Sequence, residues 1–352
     1  EAGFFADDNT PWLWNCDTVR QDGNPPQIAG IRTPGAVRYA VGIESTPYNF
    51  NEFNTDGRWK HTYSDHFYCI QVFDLTPTGV VPVTKVFDPF YGEVNDILYI
   101  GKGRCGGVAG LDNGNFAAVL EDRSAAGTVF SSFSKAPILT IFNGQTGAII
   151  RGPFFPGDED ANQDGWDGIT SMKGGFAFRR SGSVKIYFYD NAGTLKGSWT
   201  QTANSNPDAI PLTSFTEFTT SITGTGRGDG NHVSASINSN YVYYANKGLD
   251  VDATSNFVYL VKIDGTTGQT VKEVIVNEVM LPTYQSGEYE NWALPDRVSC
   301  YVDGRDNVTV VWSDTSNDEV RKVIGRVYDS DLNPVTESFM CFQASDIDGT
   351  TM

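Results

Sequence analysis

The chain is 352 residues long and carries 43 acidic against 25 basic side chains, a net charge of −18. So acidic a chain lacks the broad basic face that nucleic-acid backbones and anionic membranes demand, and its 39% hydrophobic and 13% aromatic content points to a packed core rather than disorder. No apolar run approaches the roughly 18 residues of a membrane helix, so neither nucleic acid nor membrane insertion is expected, and a start at Glu1 reads as a processed or trimmed end.

Abundant Gly, Thr, Val, Tyr and Phe with modest Ala and Leu predict strands joined by tight turns, with helices rare. After a first segment holding GFFADD and PWLWN, a strand pair opens at Gln27 (QIAGIRTPGAVRYAVGI). An insertion from Pro47 to Asp65 follows, then an apolar hairpin from Ile70 (IQVFDLTPTGVVPVTKVF). The same two pieces recur as VAGLDNGNFAAVLED from Val108 with LTIFNGQTGAIIRG from Leu139, and as ITSMKGGFAFRRSG from Ile169 with IYFYDNAGTLKGSW from Ile186. A second insertion, Thr202 to Thr225, precedes VSASINSNYVYYANKG from Val233 and YLVKIDGTTGQTVKEV from Tyr259. The last copies are VSCYVDGRDNVTVVWSD from Val298 and IGRVYDSDLNPVTESF from Ile324. In the second piece an apolar strand ends at Asp or Asn before a turn; four of the five turns contain Gly, and the last uses Asn333-Pro334.

First strands starting at Ile28, Val108, Ile169, Val233 and Val298 lie 80, 61, 64 and 65 residues apart, the length of a four-stranded unit that buries its faces against neighbours. The expected fold is all-β, a β-propeller of four-stranded antiparallel blades, with five repeats visible plus a partial sixth, in a single domain over 1–352. The blade units lie near 27–87, 108–152, 169–200, 233–277 and 298–342. DIDGTTM from Asp346 resembles another first strand, so the terminal segments 1–20 and 346–352 are expected to close the ring, the alternative being a half-blade that pairs with a partner. A pair of β-sandwiches is the alternative fold.

The sharpest local motif is DEDANQDGWDG, from Asp158 to Gly168. Asp160, Asn162 and Asp164 alternate ahead of Gly165, which reproduces the first half of a calcium loop whose oxygens sit about 2.4 Å from the ion. Trp166 would lend a carbonyl, and Asp167 or Asp158 would close the shell, because Ser171 stands where such a loop has its terminal Glu. At these residues the chain resembles the FG-GAP type of calcium-binding repeat, D-x-N-x-D-G-x-x-D, found in secreted β-propellers of large bacterial surface proteins. Gly168 occupies the final Asp position of that pattern. The wording of NGNFAAVLED, GGFAFRR and YDNAGTLKG is similar to those repeats as well. The resemblance implies an extracellular or cell-surface binding or adhesion role with bound Ca2+.

Histidine is limited to His61, His66 and His232. His61, Tyr63 and His66 crowd into GRWKHTYSDHFY beside Arg58 and Lys60, a set that a polysaccharide lyase would use to abstract a proton next to a neutralised carboxylate; the plain alternative is an aromatic excursion leading into a strand. Trp12, Trp14 and Trp59 fall in presumed loops and suit sugar faces, whereas Trp199 and Trp312 fall on strands and read as core. Asn307-Val308-Thr309 is a glycosylation sequon or an ordinary strand start. Five cysteines, Cys16, Cys69, Cys105, Cys300 and Cys341, are too few for a disulfide scaffold and read as buried thiols. With no nucleophile elbow, zinc-protease motif or phosphate loop in the sequence, the first reading is a non-catalytic, calcium-stabilised module that recognises glycan or a surface protein through its loops and is able to self-assemble through terminal strands. The alternative is a secreted polysaccharide lyase or glycosidase on the same scaffold.

Overall fold

The computed structural model describes residues 27–45, 67–90, 92–94, 97–99, 103–122, 137–154, 166–180, 185–200, 216–217, 233–249, 255–277, 281–282, 298–314 and 322–343, and every regular element among them is a β-strand. The first sheet is formed by β1 (Gln27–Thr33), β2 (Ala36–Ser45), β3 (Phe67–Thr76) and β4 (Gly79–Pro82), and a small hairpin, β5 (Gly92–Val94) with β6 (Ile97–Tyr99), follows it. The second sheet comprises β7 (Gly103–Gly110), β8 (Phe116–Asp122), β9 (Pro137–Phe142) and β10 (Ile149–Phe154). The third comprises β11 (Trp166–Met172), β12 (Gly175–Arg180), β13 (Lys185–Asp190) and β14 (Leu195–Thr200). The fourth gathers β15 (Thr216–Glu217), β16 (Val233–Ser234), β17 (Tyr241–Leu249), β18 (Ser255–Asp264), β19 (Gln269–Ile275) and β20 (Leu281–Pro282), with β15 and β16 both paired to β17 and β20 to β18. The fifth is β21 (Val298–Val302), β22 (Val308–Asp314), β23 (Lys322–Tyr328) and β24 (Phe339–Gln343).

Four of the sheets are four-stranded antiparallel meanders with neighbours in sequence order, and the fourth has such a meander, β16 to β19, with β15 and β20 added beside β17 and β18, so the five repeats are five four-stranded antiparallel blades of the β-propeller class. A sixth, partial blade is not among the described residues, nor are the segments 1–20 and 346–352 expected to close a ring. The second insertion returns one element, β15, which pairs Thr216 and Glu217 with Leu249 and Gly248.

The chain divides into two compact units, Glu1–Ile169 with Gly174–Phe176 and Tyr189–Leu195, and Thr170–Lys173 with Ala177–Phe188 and Lys196–Met352; the dividing line runs through the third sheet. In the first unit Phe116 stacks on Phe142 at 5.6 Å, with Phe87 edge-on to Phe142 at 5.2 Å. In the second unit one cluster joins Ala177, Ile186, Phe188 and Trp199 to Val242, Tyr244, Tyr259 and Val261, and another joins Tyr243, Leu260 and Val276 to Cys300, Val310, Trp312 and Tyr328. Burial grades across the second sheet: β9 is buried at every position and the neighbouring outer strand β10 at none. An inner strand covered on both faces reads as a continuous apolar run, while an outer strand need not alternate.

The recurring Asp or Asn acts as the cap of its turn. The Oδ1 atom of Asn143 accepts the N–H groups of Gln145 and Thr146 at 2.8 and 2.9 Å, and Asp190, Asp264 and Asp329 each take two backbone N–H groups in the same way. This is the Asx geometry that makes these residues turn formers. In the last turn the left-handed position is filled by Leu332 (φ 57°), not by the Asn333-Pro334 pair that the sequence offers; Asn333 instead donates Nδ2–H to Asp329 Oδ2 at 3.0 Å. The turn before β22 repeats the device, with Asp303 capping Arg305 and Asn307 while Asp306 (φ 62°) takes the left-handed position. Asn307 Nδ2–H is committed to Asp303 Oδ2 at 2.8 Å, so the sequon asparagine is a turn residue at the start of a strand.

Candidate functional site

The residues singled out for chemistry fall mainly where the structure is not described. Trp12, Trp14, Trp59, His61, Tyr63, His66, Asp158, Asp160, Asn162 and Asp164 lie outside the described residues, and Trp166 and Asp167 enter only as the backbone that begins β11. Among the described residues no group of three or more His, Cys, Asp or Glu is placed to hold a metal ion. Trp199 and Trp312 are buried, as their strand positions predict. Trp199 donates Nε1–H to Thr270 Oγ1 at 2.9 Å, which satisfies its polar edge inside the core.

Two of the cysteines are buried and inert. Burial, with the nearby Asp88 charge adding to it, pushes the Cys69 thiol well above its usual pKa, and burial pushes Cys300 up to about 12. Neither supplies thiolate at neutral pH, because the charged form would sit unsolvated in the core. Cys341 is exposed on β24. In the first sheet Arg38 and Asp74, directly opposite on β2 and β3, form a bidentate pair with both N···O distances at 2.8 Å, and the guanidinium hydrogen bond holds the Asp74 carboxyl below the ordinary range.

One polar cluster is built into the second unit. Along β12 the side chains alternate, so Ala177 and Arg179 share the face turned to the core that also holds Trp199 and Tyr244. Arg179, only 4% exposed, lays its guanidinium carbon 5.0 Å from the centre of the Tyr244 ring. On β17, Tyr244 is followed two residues on by Asn246, whose Nδ2–H donates to the Tyr244 hydroxyl at 2.7 Å; Tyr259, opposite Asn246 on β18, brings its own hydroxyl within 3.5 Å of that oxygen. A desolvated cation over an aromatic face interacts more strongly than an exposed one. Arg179, Asn246, Tyr244 and Tyr259 are thus a buried polar cluster, its groups paired with one another inside the apolar packing. Sequence reasoning passed over these four. The available signal was an arginine at a position in GFAFRR where alternation calls for a core residue.

No family model and no curated protein matches the sequence. Solved structures similar to this chain include apo AztD from Citrobacter koseri (14% identity, 90% of this chain and 72% of that one, TM-score 0.37). An ulvan lyase, a polysaccharide lyase bound to a GlcA-Rha3S repeat, is similar at 11% identity over 90% and 72% with a TM-score of 0.40. The Aleuria aurantia lectin with α-methyl-L-fucoside is similar at 10% over 90% and 95% with a TM-score of 0.33. Likenesses at this level carry no inference about a site or an activity.

Proposed function

We propose that this chain is a non-catalytic extracellular or cell-surface module that binds glycan or protein through the loops between its strands. The observation that carries the reading is how the framework spends its carboxylates. Asp190, Asp264, Asp303 and Asp329 each hold two backbone N–H groups and Asp74 is clamped by Arg38, so these acids serve folding. A rigid scaffold that leaves its variable loops for contact is how propellers serve as binding platforms. Calcium is proposed for Asp158, Asp160, Asn162, Asp164, Trp166 and Asp167 on the spacing of the sequence; a chelator is then expected to lower the melting temperature at neutral pH, and an unchanged temperature removes the site.

A second reading, a secreted polysaccharide lyase or glycosidase, rests on the sequence cluster of His61, Tyr63 and His66. A histidine or tyrosine base beside Arg58 or Lys60 is the set able to take the α-proton of a uronic acid whose carboxylate the cation neutralises. The deciding experiment incubates the protein with calcium and a panel of plant, algal and microbial polysaccharides, measuring retention on each polymer and new chain ends over a day. Retention without new ends supports the binding module. New ends that disappear in His61→Ala or His66→Ala, with folding kept, support the enzyme and overturn the first reading.

A further inference from the structure

The turns capped by Asn143, Asp190, Asp264 and Asp329 are of two kinds. In the second and fourth sheets the cap opens NGQTG from Asn143 and DGTTG from Asp264, with the left-handed residue four positions on, at Gly147 (φ 75°) and Gly268 (φ 69°). In the third and fifth sheets Tyr189-Asp190 and Tyr328-Asp329 open the turn, with the left-handed residue three positions on, at Gly193 (φ 77°) and Leu332 (φ 57°). The first kind reaches over to the second. Eight residues past each cap of the first kind the outer strand carries a cation, Arg151 on β10 and Lys272 on β19. Arg151 donates Nη1–H to the Ala192 carbonyl at 3.2 Å, and Lys272 donates Nζ–H to the Asp331 carbonyl at 2.6 Å. Each of these carbonyls belongs to the residue just before the left-handed one. The residue two before each donor cap, directly opposite the cation in its own sheet, touches the same turn. A Cβ on Gly193 would meet Ile141 Cδ1 at 2.8 Å, and Lys262, lying 4.1 Å from the centre of the Tyr241 ring, donates to the Ser330 carbonyl at 2.6 Å. The fifth sheet, an acceptor, puts no cation at the matching places: Thr336 bonds to Val327, two before its cap, and Glu337 stands eight past it.

We propose that Arg151 and Lys272 are latches between successive sheets, each pinning the turn of the next sheet at the carbonyl before its left-handed residue, so that the second sheet is coupled to the third and the fourth to the fifth. A charged donor makes the stronger kind of hydrogen bond, and a left-handed backbone at a residue other than glycine persists where its surroundings over-determine it. The latch supplies those surroundings for Leu332: the carbonyls of Ser330 and Asp331, the two residues before it, are both held from the fourth sheet. The division of the chain follows the other latch, since Tyr189–Leu195 is grouped with the second sheet while the rest of β13 and β14 is not.

The test is amide hydrogen exchange, read by NMR on the full chain, at two buried N–H groups that report the acceptor turns: Gly193, bonded to the Asp190 carbonyl at 2.9 Å, and Leu332, bonded to the Asp329 carbonyl at 3.0 Å. Arg151→Met keeps the apolar stem and removes the donor, and should speed exchange at Gly193 about tenfold while leaving Leu332 unchanged; Lys272→Met should do the reverse. Arg151→Lys and Lys272→Arg keep a charged donor and should stay close to the parent. The proposal is overturned if the methionine variants exchange like the parent at their own turns, if either variant speeds both turns alike, which is general destabilisation, or if the charge-keeping variants behave as the methionine variants do, which assigns the effect to side-chain packing.

Discussion

The joint between the first and second sheets and the joints between the third, fourth and fifth all pack apolar side chains but differ in what is added to that packing. In the first unit β7 comes so close to β1 that a Cβ on Gly110 would run into Cγ2 of Ile31 and lie 3.1 Å from the Gly30 carbonyl oxygen. Packing makes that joint, with Ile31 only 4% exposed. In the second unit hydroxyls add hydrogen bonds to the apolar clusters at the joints. Thr170 Oγ1 accepts the Ala235 N–H at 3.0 Å, Ser234 Oγ accepts the Val302 N–H at 3.1 Å, and Ser239 donates to Asp306 at 2.6 Å while its carbonyl takes the Lys173 N–H at 2.9 Å. All three hydroxyl residues are buried. A joint of close approach tolerates no added volume, whereas a joint held by hydroxyls leaves a buried N–H orphaned when the hydroxyl is lost.

The largest effect expected from that contrast is at Gly110. Gly110→Ala drives a methyl into Ile31 and the Gly30 backbone, and overpacking of this kind costs about 1–3 kcal/mol. Urea unfolding measures it, and Ile31→Ala should restore part of the loss in the double variant; independent, additive costs would show that the two residues do not form the joint. Next comes Ser234→Ala, which removes the acceptor of a buried N–H at a cost of about 1–2 kcal/mol. Ser234→Thr keeps the hydroxyl acceptor, so it should keep more of the stability than alanine does. If alanine and threonine behave alike, the bond to Val302 contributes nothing.

The same contrast explains what the sequence could disclose. Turn chemistry is local: an Asp or Asn before a Gly-containing turn needs only its next few residues to form an Asx cap, so the hairpins at Asn143, Asp190 and Asp264 are readable without a structure. Leu332 is the exception, since a buried leucine at φ 57° is held by its surroundings and no local rule selects it. Joints between sheets are decided by residues 65 or more positions apart, such as Thr170 with Ala235, and a lone serine or threonine in a strand gives no sign of its partner. Arg179 was visible as a break in alternation but acquires meaning only beside Tyr244, which β17 supplies. The calcium loop and the histidine cluster are local motifs whose geometry lies outside the described residues.

The smallest effect concerns the turn caps themselves, which belong to neither kind of joint. In both Asp303 and Asp329 the carboxyl pKa is held below its ordinary value, first by the carboxamide of the asparagine four residues on and then by backbone N–H groups. A carboxylate normally titrates near about 3.9, so the stability these caps add is complete above that pH and is lost as pH falls through the lower folded values. Asp303→Asn keeps an oxygen for the N–H groups of Arg305 and Asn307 but sets an amide against Asn307 Nδ2. The variant should therefore melt slightly below the parent at pH 7, and the gap should close in acid as the parent loses its charge. Curves that stay parallel from pH 7 down to about 2, well below the ordinary carboxylate value, would mean that the cap works through backbone geometry alone; convergence would mean that the ionised carboxylate holds the turn, independently of how the sheets on either side are joined.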